Sequence, residues 1–171
     1  MEERAGSITM FGNPLTLLGN ELNVGDKAPD FELLDNDLKP VNLSGFSGKV
    51  CVISSVPSLD TPVCDMETRR FNEEAGKLGD NVSILTVSMD LPFAQKRWCG
   101  AAGVENVTTL SDHRDAKFGE TYGVLIKELR LLARAIFVVD QKGVIQYVQL
   151  VKEVTEEPDY EAIIAAVGKL V

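Results

Sequence analysis

The sequence predicts an α/β fold: a central mixed sheet flanked by helices, with a β-hairpin added at the N-terminus. Three observations carry that expectation. Two apolar runs rich in β-branched residues, 49–54 and 82–87, read as strands covered on both faces. Each is followed by a segment of helical pattern, and strand–helix alternation implies parallel pairing with right-handed crossovers. Late in the chain, the runs 131–139 and 144–151 flank the turn Asp140-Gln141-Lys142-Gly143 and read as an antiparallel pair.

The remaining elements follow in order. Residues 8–17 form a hairpin, because apolar segments flank Gly12-Asn13-Pro14. Residues 19–30 are a loop. Residues 31–34 and 40–43 form a second short hairpin around Asn36-Asp37. A helix runs from Pro62 to Leu78, and another starts near Pro92 and carries Trp98 and Cys99. Residues 107–110 are a short strand and 115–122 a helix. Asp159 to Leu170 closes the chain as an amphipathic helix, with Ile163, Ala166, Val167 and Leu170 on one stripe. This order is the thioredoxin-like plan. Residues 1–171 read as a single thioredoxin-like domain, of which 1–18 are the hairpin extension.

Composition narrows the function classes. Hydrophobic residues make up 44% and charged residues 25%, as in ordinary soluble domains. No apolar run approaches the ~20 residues that span a bilayer. Met1-Glu2-Glu3-Arg4 is no basic region leading an apolar stretch, so a cytoplasmic location is the expectation. The net charge of −9 repels phosphate backbones, and no basic run is longer than Arg69-Arg70. Neither nucleic acid nor membrane is expected as a partner.

There are three cysteines, Cys51, Cys64 and Cys99, and one histidine, His113. They lack the closely spaced ligand pairs of structural zinc sites, so no metal is expected. An odd number of cysteines in a reducing compartment points to redox or catalytic chemistry.

Cys64 is the first candidate. The segment Pro57-Ser58-Leu59-Asp60-Thr61-Pro62-Val63-Cys64 joins a buried strand to a helix. Thr61 is a suitable N-cap, and Pro62 fits the first helical position. Cys64 then falls in the first turn, among free N–H groups and at the positive end of the helix dipole. That environment activates a sulfur nucleophile. Thr61 also stands where it can hydrogen-bond the sulfur or a substrate oxygen. Cys51, between Val50 and Val52 in a buried strand, reads as an inert small hydrophobe.

Arg134 is the second candidate. It interrupts the apolar run 131–139, where a charge needs an anionic partner. In the expected topology this strand runs antiparallel to the one before Cys64, so Arg134 enters beside Cys64. There a guanidinium stabilises a thiolate and hydrogen-bonds a peroxide oxygen. Cys99 is the third. It lies near the end of a short helix before Gly100-Ala101-Ala102-Gly103, a stretch able to unwind. A thiol that reaches a sulfenic acid closes a disulfide and stops further oxidation. Since α-carbons within ~7 Å are required, local unfolding is expected.

At these residues the sequence resembles the thiol peroxidases, the bacterial subgroup of atypical two-cysteine peroxiredoxins. Pro57, Thr61 and Cys64 match the peroxiredoxin pattern P-x-x-x-T-x-x-C. Asp90-Leu91-Pro92-Phe93-Ala94-Gln95, with Arg97, Cys99 and Gly100, resembles the subgroup's resolving-cysteine helix, and Ala133-Arg134-Ala135 its arginine strand. Phe11-Gly12-Asn13-Pro14 and Glu157-Pro158-Asp159-Tyr160-Glu161 match its two ends, so the resemblance covers essentially the whole chain.

The resemblance implies that Cys64 is the peroxidatic cysteine, attacking hydrogen peroxide or an organic hydroperoxide. Thr61 and Arg134 orient the peroxide, and Pro57 shields the site. It implies that Cys99 resolves the Cys64 sulfenic acid as an intramolecular disulfide, that thioredoxin reduces that bond, and that the chain forms a homodimer. It implies no metal, haem or flavin cofactor. Two other classes compete. A general disulfide oxidoreductase normally carries C-x-x-C, and Thr61 stands three before Cys64 here. A non-enzymatic thioredoxin-fold module gives no purpose to an activated Cys64 and a buried Arg134. Asp112-His113 also raises a Cys–His–Asp hydrolase, but the polar Ser111-Asp112-His113-Arg114 setting reads as a surface loop.

Overall fold

The computed structural model describes residues 1–171. The N-terminal hairpin pairs β1 (Glu3–Met10) with β2 (Asn13–Leu18) in antiparallel register. It begins five residues earlier than its apolar pattern suggests. A register shift between Arg4 and Ile8, with Gly6 at φ 68°, lets a polar stretch bulge out while pairing continues beyond it.

Seven strands make the central sheet. They are β3 (Glu32–Leu34), β4 (Pro40–Asn42), β5 (Val50–Ser55), β6 (Val82–Ser88), β7 (Thr108–Ser111), β9 (Ala135–Val139) and β10 (Ile145–Leu150). Their order is β10-β9-β5-β6-β7-β3-β4. The pairs β5–β6 and β6–β7 are parallel, and β9 lies antiparallel to β5 with Ser55 opposite Ala135. The helices are α1 (Pro62–Leu78), α2 (Pro92–Ala102), α3 (Lys117–Thr121) and α4 (Tyr160–Gly168). A mixed α/β sheet flanked by helices is therefore what forms.

Alternation along β5 divides the core. Val50 and Val52 join Phe71 of α1 and Ile163 and Val167 of α4. Cys51 and Ile53 point the other way, toward Phe31, Phe118, Tyr122 and Phe137. Every residue of β5 is buried, which is why its sequence shows no polar alternation.

Four expectations need correction. Residues 131–134 are not part of the strand, which starts at Ala135. Their backbone bonds go elsewhere: Ile126 N–H donates to Leu131 O and Ala133 N–H to Val124 O. This pairing holds the two-residue strand β8 (Leu125–Ile126) against Leu132, and β8 extends the N-terminal hairpin into a three-stranded sheet. Gly100, Ala101 and Ala102 do not follow α2 but complete it, and Gly103 closes it at φ 67°. The helix expected over 115–122 is only five residues long, because Ala116 adopts a left-handed conformation immediately before it. The last helix likewise ends at Gly168, short of Leu170, with Asp159 outside it as the N-cap.

Candidate active site

Strand β5 runs out of the sheet into Val56 and Pro57, both buried, and the chain then turns into α1. Thr61 caps that helix. It is extended at φ −87°, ψ 145°, and its Oγ1 accepts from Cys64 N–H at 3.4 Å. Its own hydroxyl hydrogen goes to Ser58 O at 3.0 Å. Pro62 opens the helix, so Cys64 takes the third position, in the turn where backbone N–H groups lack helical partners. The Cys64 side chain is fully buried against Val56 and Leu59, with Trp98 of α2 closing the cluster.

The loop before Cys64 is fastened by Asp90, which follows β6. Ser58 Oγ donates to Asp90 Oδ1 at 2.7 Å, and Leu59 N–H donates to Oδ2 at 2.9 Å. Ser88 Oγ donates to the same Oδ2. One carboxylate thus joins the loop carrying Pro57 and Thr61 to the start of α2, the helix carrying Cys99.

Arg134 is 1% exposed and stands one residue before β9. Its Nε and Nη2 both donate to Val154 O, at 3.1 and 2.9 Å. Its Nη1 faces Glu67 Oε2 at 3.5 Å. Glu67 lies three residues after Cys64 on the buried stripe of α1, and Ser54 Oγ also donates to its Oε2. The anionic partner that a buried arginine demands is therefore Glu67, and no hydrogen bond joins Arg134 to Cys64. Three of the five guanidinium N–H groups are used. One hydrogen on Nη1 and one on Nη2 stay available.

Glu67 was not among the sequence candidates. Its signal is present: Cys64, Glu67, Thr68 and Phe71 share the helical spacing of a buried face. A carboxylate there needs a cation, as Arg134 needs an anion. Burial pushes the Glu67 carboxyl up to about 7, against the pull of Arg134 and the Ser54 hydrogen bond.

Cys99 is half-buried on α2, and all three cysteines are free thiols. Its sulfur lies 3.4 Å from Thr109 Oγ1 on β7, not against Cys64. Trp98 instead reaches the Cys64 cluster. Its indole N–H donates to Asp65 at 2.8 Å, and the Arg69 guanidinium lies 5.7 Å from its ring centre.

The other candidates separate from this site. Cys51 is 2% exposed near the opposite end of β5, where burial pushes its thiol up to about 11. His113 is exposed, and the Asp112 carboxylate accepts from Phe118 and Gly119 N–H, capping α3 instead of orienting an imidazole. No three His, Cys, Asp or Glu side chains converge into a metal-binding group.

Comparisons with known proteins show the family. Residues 23–164 match the family model described as Redoxin. The chain is 62% identical over 160 residues to the thiol peroxidase of Halalkalibacterium halodurans, covering 94% of this chain and 96% of that one. It is 58% identical over 164 residues to the thiol peroxidase of Bacillus subtilis, covering 96% and 98%. Among solved structures, a peroxiredoxin-like protein from Aquifex aeolicus superposes with a TM-score of 0.92 at 46% identity over 98% of both chains. The thiol peroxidase from Chromobacterium violaceum superposes at 0.85 with 22% identity over 95% of both, a likeness of fold.

Proposed function

The chain belongs to the redoxin family, on its thiol peroxidase branch, and from that membership we propose that Cys64 carries a thiol-dependent peroxidase reaction on hydrogen peroxide and organic hydroperoxides. The observation that supports it most is the position of Cys64 itself. It is buried in the first turn of a helix capped by Thr61, one turn before the Glu67–Arg134 pair.

The Cys64 sulfur attacks the terminal peroxide oxygen. The O–O bond breaks, the sulfur becomes a sulfenic acid, and the alcohol or water leaves with a proton. Charge builds on the departing oxygen during this step, so donors fixed beforehand lower the barrier. The two spare N–H groups of Arg134 are suited to that task. Glu67 and Val154 O fix the guanidinium plane, leaving little reorganisation for the moment of reaction. Thr61 contributes by turning its hydroxyl from Ser58 O toward the peroxide. Pro57, buried at the strand exit, keeps water from the loop above the sulfur.

Cys99 then closes the cycle. Its thiol sulfur attacks the Cys64 sulfenic sulfur, the hydroxyl leaves as water, and a Cys64–Cys99 disulfide forms within the chain. Trp98, Thr109 and Gly103 hold Cys99 in α2, so this step requires α2 to loosen at its C-terminal end. Thioredoxin is the proposed reductant, a homodimer the proposed assembly and the cytoplasm the proposed location. Exposed apolar side chains on α1 and at the start of α2, Met66, Leu91 and Phe93, offer surface for such partners.

Peroxide consumption by the Cys64→Ser variant tests the assignment. It is expected to vanish with the fold intact, and consumption at the original rate overturns the assignment.

A further inference from the structure

The surroundings of Cys99 hold a chemical constraint of their own. A threonine hydroxyl has one hydrogen to give. Thr109 Oγ1 gives it to Asn36 Oδ1, at 2.9 Å. Oγ1 also lies 3.4 Å from Cys99 Sγ, so Thr109 acts there as acceptor and the thiol as donor. Cys99 can make this contact only while it keeps its proton. A thiolate in the same place would face an oxygen lone pair, with the nearest hydrogen turned away toward Asn36. Thr109 is 3% exposed, so water is a poor substitute donor on its side of the pair.

Asn36 lies in the turn between β3 and β4, and that turn also touches α2. Asp37, next in sequence, accepts from Lys96 Nζ at 2.9 Å, three residues before Cys99. Both groups of this ion pair are exposed, and such pairs contribute little alone. It does place the turn over α2 beside the Thr109–Asn36 hydrogen bond. Gln95 pins the same helix from below, donating to Ser88 Oγ and Leu110 O.

We propose that Thr109 and Asn36 are positioning residues that lock Cys99 in its thiol form on folded α2, so that the resolving nucleophile is released only when the helix leaves the β3–β4 turn. The proposal rests on the reading of Cys99 as the resolving cysteine. Its consequence is a timed interval. The Cys64 sulfenic acid persists until α2 opens, and a second peroxide can compete for it meanwhile.

The test uses the full chain, reduced and mixed with equimolar hydrogen peroxide. Trp98, the only tryptophan, reports on α2 by fluorescence, while quenched samples are mapped by mass for Cys64 sulfenic acid and for the disulfide. Thr109→Val keeps the shape and removes the hydroxyl, and Thr109→Ser restores it. Asn36→Ala removes the acceptor and frees the Thr109 hydrogen to turn toward sulfur. Val and Ala are expected to speed disulfide formation roughly threefold to tenfold, the worth of one hydrogen bond. Ser is expected to stay within about twofold of the parent, well under the effect of one such bond. Oxidation of Cys64 itself proceeds at the parent rate in all three. A disulfide rate in Val and Ala that is unchanged or slower overturns the lock alone, as does Ser behaving like Val. If the parent chain forms no Cys64–Cys99 bond, the resolving role of Cys99 falls and the lock with it.

Discussion

Arg134 and Glu67 form an ion pair that is buried on both sides, with Nη1 3.5 Å from Oε2 and side-chain exposures of 2% and 0%. Every other ion pair in the molecule has at least one partner in substantial contact with solvent. Here Glu67 Oε1 has no hydrogen-bond partner at all. An isolated buried pair of this kind is a poor way to gain stability, since desolvation offsets most of the attraction. Its value is directional: together with Val154 O it fixes the plane of the Arg134 guanidinium.

Breaking the pair separates the two contributions. Glu67→Ala leaves Arg134 as an uncompensated buried charge and is expected to cost about 3–5 kcal/mol. Glu67→Gln keeps the shape and an oxygen for Ser54, and is expected to cost less. Urea unfolding measures both. In Glu67→Gln the second-order rate with peroxide is expected to fall roughly tenfold to a hundredfold, as misplacement of a catalytic group does.

Arg134→Lys retains the charge but not the fork. A lysine ammonium cannot span Val154 O and Glu67 while presenting two further hydrogens in a plane. The peroxide rate is expected to drop on the order of a hundredfold, with circular dichroism unchanged. A stopped-flow rate equal to the parent's contradicts the role given to Arg134.

The cap on α1 can be tested apart from the chemistry. Thr61→Ser keeps the oxygen that accepts from Cys64 N–H, whereas Thr61→Val loses it and is expected to cost about 0.5–2 kcal/mol. The Val variant is also expected to react more slowly with peroxide, because the hydroxyl proposed to orient the peroxide is gone. Urea midpoints and stopped-flow rates read the two losses separately.

Stability is expected to carry a pH signature from Asp112. Burial raises its carboxyl to about 6 from an ordinary value of 3.8, outweighing the hydrogen bonds from Phe118 and Gly119. The folded state therefore holds this proton more tightly than the unfolded chain does. Its stabilising effect is complete below the unfolded value and is lost as the pH rises through the folded one. Between pH 4 and pH 7 the urea midpoint of the parent is expected to fall relative to that of Asp112→Asn. A constant difference across that range contradicts the assignment.

Cys51 is expected to be silent. With its thiol buried and pushed up to about 11, iodoacetamide at pH 8 is expected to leave it unlabelled until denaturant is added. Peptide mapping checks this, and labelling of Cys51 in the folded protein contradicts it.

Much of this arrangement is legible in the sequence, for local reasons. Thr61 and Pro62 announce the start of α1 by capping chemistry, and Leu78 ends it before Gly79, at φ 87°. The β5 run declares its burial by having no polar alternation. What escaped the sequence depends on pairing between distant residues. Leu131–Leu132 and Leu125–Ile126 are apolar in any setting, and nothing local says that they pair with each other before Ala135 joins β5. Gly100 reads as a helix breaker, yet it lies inside α2, because Gly103 is the residue that takes the left-handed cap. Glu67 hides for a related reason. A glutamate suits any helix, and only the approach of Arg134, from the residue before β9, makes it a buried partner.

The proposed redox cycle joins two cysteines on separate helices, Cys64 and Cys99, and one measurement meets it directly. Reduced protein is treated with stoichiometric peroxide, its intact mass is taken, and its disulfides are mapped. A loss of two hydrogens from the chain and one intramolecular Cys64–Cys99 bond are expected, with Cys51 free. A bond that includes Cys51, or a stable oxygen adduct on Cys64 while Cys99 stays reduced, would contradict it.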